Sequence, residues 1–409
     1  MNYKLLGILI IVITYLYGIL LEILERRSAD NPVPANVSDV YDPETYKKWR
    51  AYHAENRRLS FISQTASFII SLVLILSNAY PAFARFFPKT DFLQMLSVFL
   101  LSTLTDLLLL PISWYDTMVI EEKYGFNRTD KKTFWLDTLK ETLISLAMMI
   151  LIGLILMWVH KTLGDWMIAA FTAVMTLLVL GISFLSPVLT KIFNKFTPLE
   201  DGELKDRLTG LLEKHGYKVR AIQVMDASRR STKSNAYFTG FGKMKTIVLY
   251  DTLTAQMTTD EICAVFAHEM GHGLHKDTLK NQIFSTIQMF LMAVLAWLTL
   301  RTPEIFTSFG FDGINYGFAF ALIGFEFALF SPLFSLLVNA YSRKAEYRAD
   351  RQAVQEGYGA ALISGLKKLT RENFGDLAPD PLLVKLTYSH PTLSQRIEAI
   401  ESAQKQIHS

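Results

Sequence analysis

The chain has 409 residues, 51% of them hydrophobic and only 19% charged, with a mean hydropathy of +0.24. A soluble domain carries about 25% charged residues, so this composition points to a membrane protein. The net charge of +3 says nothing useful about partners, but no basic run is interleaved with aromatics, which argues against nucleic acid. The single cysteine, Cys263, rules out an intramolecular disulfide and gives no support for a cysteine-based metal site.

Leu5 to Leu24 is a nearly unbroken apolar run. A signal-peptide core is about 7–15 residues long and ends in small residues. This run is longer and ends in Glu22-Ile23-Leu24-Glu25-Arg26-Arg27, so it is read as a first transmembrane helix. A helix needs about 20 apolar residues to cross the hydrocarbon core. Six further segments qualify, roughly 61–80, 92–114, 141–159, 166–190, 281–300 and 316–338, giving seven expected spans. The third contains Asp106 and Pro111 and the seventh contains Glu326 and Pro332, so neither is a plain lipid-facing rod. Of the 41 Lys and Arg residues, 36 fall in the alternate segments 25–60, 115–140, 191–280 and 339–409. By the positive-inside rule those segments are expected in the cytosol, with the N-terminus on the opposite side.

The stretch from Asp30 to Pro43, with three prolines, reads as an irregular loop. Within 191–280, Leu199 to His215 has helical periodicity and ends at Gly216. Strand-like runs follow at Val219–Met225, Asn235–Phe238 and Thr246–Tyr250. A new helix is expected to start near Thr258, where Thr258 and Glu261 fit a capping box.

That helix carries His268-Glu269-Met270-Gly271-His272. His-Glu-x-x-His on a helix places two imidazoles one turn apart on one face, within reach of a single metal ion. The glutamate between them can take a proton from a metal-bound water. A catalytic zinc site commonly has a third protein ligand and one open position. The longer form of the motif would need a histidine at 278, which is Thr278; His275 is expected to be a polar helix-end residue. Downstream, Glu346 and Asp350 share a helical face where the seventh span meets the polar C-terminal segment. One of the two carboxylates can bind zinc while the other accepts the second ring N–H of a ligating histidine. Spans six and seven form a hairpin, so the histidine motif and this acidic pair emerge at the same membrane surface.

Together with Ile120–Asn127, Ser234–Phe238 and Ser389-His390-Pro391, these motifs resemble the type I CAAX prenyl proteases, the a-factor-converting membrane zinc metallopeptidases. The resemblance covers nearly the whole chain. It implies a predominantly α polytopic protein whose seven spans enclose a water-filled chamber, with a cytosolic metallopeptidase part containing a small β-sheet. It also implies one Zn2+ held by His268, His272 and Glu346, with Glu269 as general base and Asp350 orienting a ligand. Asn235, Ala236 and Tyr237 would lie on an edge strand that binds an extended peptide by strand addition. His390 and Arg396 would contact the substrate or the developing oxyanion. A chamber would explain how Asp106 and Glu326 are tolerated in the membrane.

Four segments follow from this reading. Residues 1–190 hold helices one to five with the loops 25–60 and 115–140, and 191–280 hold the metallopeptidase segment with the histidine motif. Residues 281–338 hold helices six and seven, and 339–409 hold the segment with the third ligand. The length of the chain and its 25–60 loop look unlike eukaryotic members, which suggests a bacterial inner membrane with the active site facing the cytoplasm, or the endoplasmic reticulum if the source is eukaryotic. The expected partners are the lipid bilayer and a peptide or protein substrate, prenylated or membrane-embedded. A quality-control protease of the HtpX type would share the metal site. A seven-helix transporter or receptor with an incidental motif would bind no zinc.

Overall fold

The computed structural model describes residues 2–233, 235–239 and 244–408. Helix α1 (Tyr3–Ser28) opens on Asn2, whose side chain accepts the Leu5 amide, and closes with Arg26 and Arg27 in its last turn, cations suited to a helix C-terminus. Helix α2 (Pro43–Leu76) begins well before the expected second span. Asp42 caps it by accepting from the Glu44 and Thr45 amides, and Pro43 takes the first position, where no amide is needed. The short α3 (Ala79–Ala84) leads into α4 (Asp91–Tyr115), which contains Pro111 and runs on into a π-helical turn at Asp116–Glu121. Helices α5 (Lys131–Leu163) and α6 (Met167–Thr190) are separated only by a turn at Gly164–Trp166. Gly164 adopts φ +45°, which ends α5.

Among the described residues, six helical stretches are long and apolar enough to cross a membrane, which leaves the expected count of seven unconfirmed. The fourth and fifth expected spans fall in one such stretch, Lys131–Ser183, because the turn between α5 and α6 is itself helical. Glu326, in the last of the six, accepts at 3.3 Å from the Thr299 hydroxyl, whereas Asp106 is exposed.

The polar middle of the chain folds as β1 (Phe196–Pro198), α7 (Glu203–Lys214), β2 (Lys218–Met225), β3 (Ala236–Thr239) and β4 (Met244–Tyr250). The sheet order is β1-β2-β4-β3, with β2 and β4 parallel and the outer pairs antiparallel. All three expected strands are present. The expected helix starts four residues late, at Glu203, because the Leu199 amide bonds instead to the Ile222 carbonyl of β2. Ser234 lies outside the described residues.

After α8 (Asp251–Gln256) comes α9 (Thr259–Leu274), opened by the expected capping box with both reciprocal bonds formed between Thr258 and Glu261. Ten of its 16 residues are buried, because it separates two cores. Ile262, Cys263, Phe266 and Met270 pack toward α7 and the sheet. Ala264 and Ala267 pack toward the C-terminal helices and toward Val37, Tyr41 and Trp49. The 25–60 segment is therefore tied into the polar core: Trp49 Nε1 donates to the Phe374 carbonyl and Asn36 to the Ser394 carbonyl.

Helix α10 (Asp277–Leu300) follows α9 after Lys276, whose φ of +56° breaks the helix. The short α11 (Pro303–Ser308) leads to α12 (Tyr316–Gln355), 40 residues long. At 1.5 Å per residue it is a rod of about 60 Å, twice the thickness of a hydrocarbon core. The apolar span 316–338 and the segment carrying Glu346 and Asp350 are thus one continuous element. Helices α13 (Gly359–Glu372), α14 (Pro381–Thr387) and α15 (Leu393–His408) complete the chain.

Candidate active site

Gly271 is the point at which α9 and α12 meet. A Cβ there would lie 2.8 Å from the Ala349 Cα, so only glycine permits this approach. It brings the motif face of α9 against the acidic face of α12. His268 Nε2 lies 3.4 Å from Glu346 Oε2, and His272 Nε2 lies 3.2 Å from Glu346 Oε1. Ligand atoms of these three residues all fall within 4.8 Å of one another.

The far nitrogen of each ring is held by a carboxylate. His268 Nδ1 is 2.8 Å from Asp350 Oδ1, and His272 Nδ1 is 3.1 Å from Asp277 Oδ2. Each carboxylate therefore fixes Nδ1 as the protonated nitrogen and leaves Nε2 to face Glu346. The first of these pairings sets Asp350 beside His268, the acid that the sequence singled out. The second was not foreseen. Asp277 opens α10, is buried, and also accepts from the Tyr341 hydroxyl and from Arg348. The only sequence signal was an acid five residues after His272, and nothing local marks it as pointing back.

Burial works against a charge on His268, but the carboxylates of Asp350 and Glu346 outweigh it and push the ring up to about 9. The site thus favours positive charge. Glu346 Oε2 is buried and accepts no hydrogen bond, with His268 Nε2 and Arg396 Nη1 each standing 3.4 Å away, so it keeps a lone pair for a metal cation. Two imidazole nitrogens and a carboxylate within reach of one point are a donor set suited to zinc. The residues present therefore fit a metal ion.

Arg396 is buried behind His268. It donates from Nε and Nη2 to both oxygens of Asp350, at 2.9 and 2.6 Å, and its Nη1 stands 3.4 Å from Glu346 Oε2. His390 stands on the open side, its side chain 60% exposed and its Nε2 3.4 Å from Glu346 Oε1. Arg343, one turn before Glu346 on α12, donates to the Val384 and Tyr388 carbonyls and so fixes the segment that carries His390. A cavity of about 240 Å³ opens beside the cluster, lined by Glu269, His272, Tyr341, Ser342 and Glu346. His275 caps α9 and is not part of the cluster. Strand β3, which carries Ala236 and Tyr237, is an edge strand beside α9, and Asn235 precedes it, its backbone carbonyl accepting from the Tyr250 amide.

Comparison with known proteins gives a consistent picture. Residues 22–195 match the CAAX prenyl protease N-terminal family, described as having five membrane helices, and residues 198–404 match peptidase family M48. The chain is 32% identical to CAAX prenyl protease 1 homolog of Arabidopsis thaliana, covering 96% of each chain. It is 32% identical to CAAX prenyl protease 1 of Saccharomyces cerevisiae, over 92% of this chain and 90% of that one. The human CAAX prenyl protease 1 homolog is 30% identical over 95% of this chain and 93% of its own. The crystal structure of S. mikatae Ste24p superposes with a TM-score of 0.91 at 28% identity, covering 98% of this chain and 99% of that one. With such coverage of eukaryotic relatives, length does not set the chain apart from them.

Proposed function

The chain belongs to peptidase family M48, among the CAAX prenyl protease 1 relatives, and is a multi-pass membrane metallopeptidase; from that premise we propose that it binds one zinc ion and cleaves CAAX-type or membrane-associated peptides. The transporter or receptor reading falls with that membership, and the HtpX-type reading is not favoured.

The observation that carries the proposal is the convergence of His268 Nε2 and His272 Nε2 on Glu346, whose buried Oε2 accepts no hydrogen bond. These three residues would hold the ion. When bound, it supplies Lewis acidity that polarises a peptide carbonyl and acidifies a water. Glu269, in the cavity wall, would take a proton from the attacking water and deliver it to the leaving amine. His390, on the open side, donates to the carbonyl oxygen as negative charge develops there. Arg396 acts one layer back, holding Asp350 against His268, so we assign it to positioning and not to the oxyanion. The free edge of β3 would take the extended substrate through main-chain hydrogen bonds.

The excess of Lys and Arg in the polar segments supports a site on the cytosolic face, whether of a bacterial inner membrane or of the endoplasmic reticulum. Metal analysis of the purified chain tests the ion: one zinc per chain, lost on Glu346→Ala, is expected. Cleavage of a farnesylated CAAX peptide and of its unprenylated twin then tests the substrate. Equal rates on the two would remove prenylation from the proposal.

A further inference from the structure

A second cavity, of about 210 Å³, shares no lining residue with the one beside His272. Three segments far apart in sequence build it: the first turns of α5, the turn after α6, and the turn after β2. Each brings cations. Lys140 comes from the first, Lys191 and Lys195 from the second, and Arg229 and Arg230 from the third. Asp137 is the only acid in the lining, and it is shared, lying 2.8 Å from Arg230 Nε and 3.3 Å from Lys140 Nζ. Arg230 also donates to Asn194 Oδ1 at 3.2 Å, which fixes its guanidinium on the wall. Among the described residues, no carboxylate lies within 4.0 Å of the charged groups of Lys191, Lys195 or Arg229.

Like charges are not gathered around a cavity without cost, and one shared carboxylate does not neutralise five cations. The surroundings indicate what does. The cavity stands at the polar ends of two apolar helices, α5 and α6. Beside it Trp135, Leu136, Leu139 and Ile192 are 52, 47, 55 and 44% exposed, apolar side chains of the kind that sit at the membrane interface. A basic pocket rimmed on one side by lipid-facing residues has the form of a headgroup site. We propose that it binds the phosphate headgroup of an anionic membrane lipid, whose acyl chains run along α5 past Leu136 and Leu139. A free phosphate would use the cations equally well but would leave that apolar rim without a role.

The test uses the full chain in detergent, titrated with phosphatidylglycerol or phosphatidylcholine and read by native mass spectrometry. The phosphatidylglycerol adduct is expected at one per chain, well above phosphatidylcholine, and unaffected by millimolar inorganic phosphate. The combined exchange Lys191→Gln, Lys195→Gln and Arg229→Gln should weaken it on the order of 100-fold, since each cation near an anionic surface contributes roughly five-fold. Peptidase activity and the thermal transition serve as folding controls. If the triple variant fails them, Arg229→Gln alone is measured, with a loss of roughly five-fold expected. Equal affinity for the two lipids, or an undiminished preference in a folded variant, overturns the proposal. Displacement by inorganic phosphate does so too, because it would make the cavity a site for a soluble anion.

Discussion

Asp277 holds the ring of His272 from behind: its Oδ2 is 3.1 Å from Nδ1, while its Oδ1 accepts from the Tyr341 hydroxyl at 2.5 Å and from Arg348 Nη2 at 2.9 Å. Asp350 does the same for His268, braced in turn by Arg396. Each Nε2 that faces Glu346 is thus set by a carboxylate that is itself fixed by cationic or hydroxyl donors. The two braces also join three elements, α9, α10 and α12.

Asp277→Asn should therefore weaken zinc binding by about 10–100-fold while leaving the fold intact. Chelator competition measures this directly. An unchanged affinity would mean that His272 needs no brace.

Gly271→Val should separate α9 from α12, since even a Cβ at this position would meet the Ala349 Cα at 2.8 Å. Overpacking of this kind costs about 1–3 kcal/mol. A lowered Tm together with lost zinc is expected, and a normal metal content would show that the helices can part without disturbing the cluster.

Arg343→Ala frees the carbonyls of Val384 and Tyr388, and with them the segment that presents His390. Removing a charged donor from such groups costs about 1.5–3 kcal/mol. The variant should keep its zinc and lose on the order of 10-fold in kcat/KM. Simultaneous loss of zinc would place Arg343 in the metal site itself.

Burial pushes Asp376 up to about 6, with Glu25 adding to that and the Ala378 amide and Arg57 opposing it. The folded value lies above the ordinary one, so the folded state gives up stability as pH rises from the ordinary carboxylate range through about 6. Asp376→Asn keeps an acceptor for the Ala378 amide and removes that loss. Its Tm should exceed the wild-type value at pH 7.5 and match it at pH 4, while a matching Tm at both would contradict the assignment.

The sequence made the helical motif, its capping box and the acidic pair legible, because each is a local pattern with a fixed period. The hairpin of spans six and seven even joined His272 to Glu346 across 74 positions. Three features were not legible. Asp277 lies beyond a positive-φ break at Lys276, so no helical spacing relates it to His272. Arg396 reaches Asp350 from α15, and no local pattern separates a residue facing substrate from one facing the back of a ligand. The three residues of β1 are too short to alternate. The count of spans stays unconfirmed at Gly164–Trp166, where a helical turn joins two helices into one apolar stretch.

The central claim is that Glu269 moves the proton at a single metal held by His268, His272 and Glu346. Measuring cleavage and bound zinc together on Glu269→Gln tests it most directly. The prediction is one zinc per chain, as in the wild type, with peptide cleavage abolished. Full cleavage by that variant with its zinc in place would contradict the account.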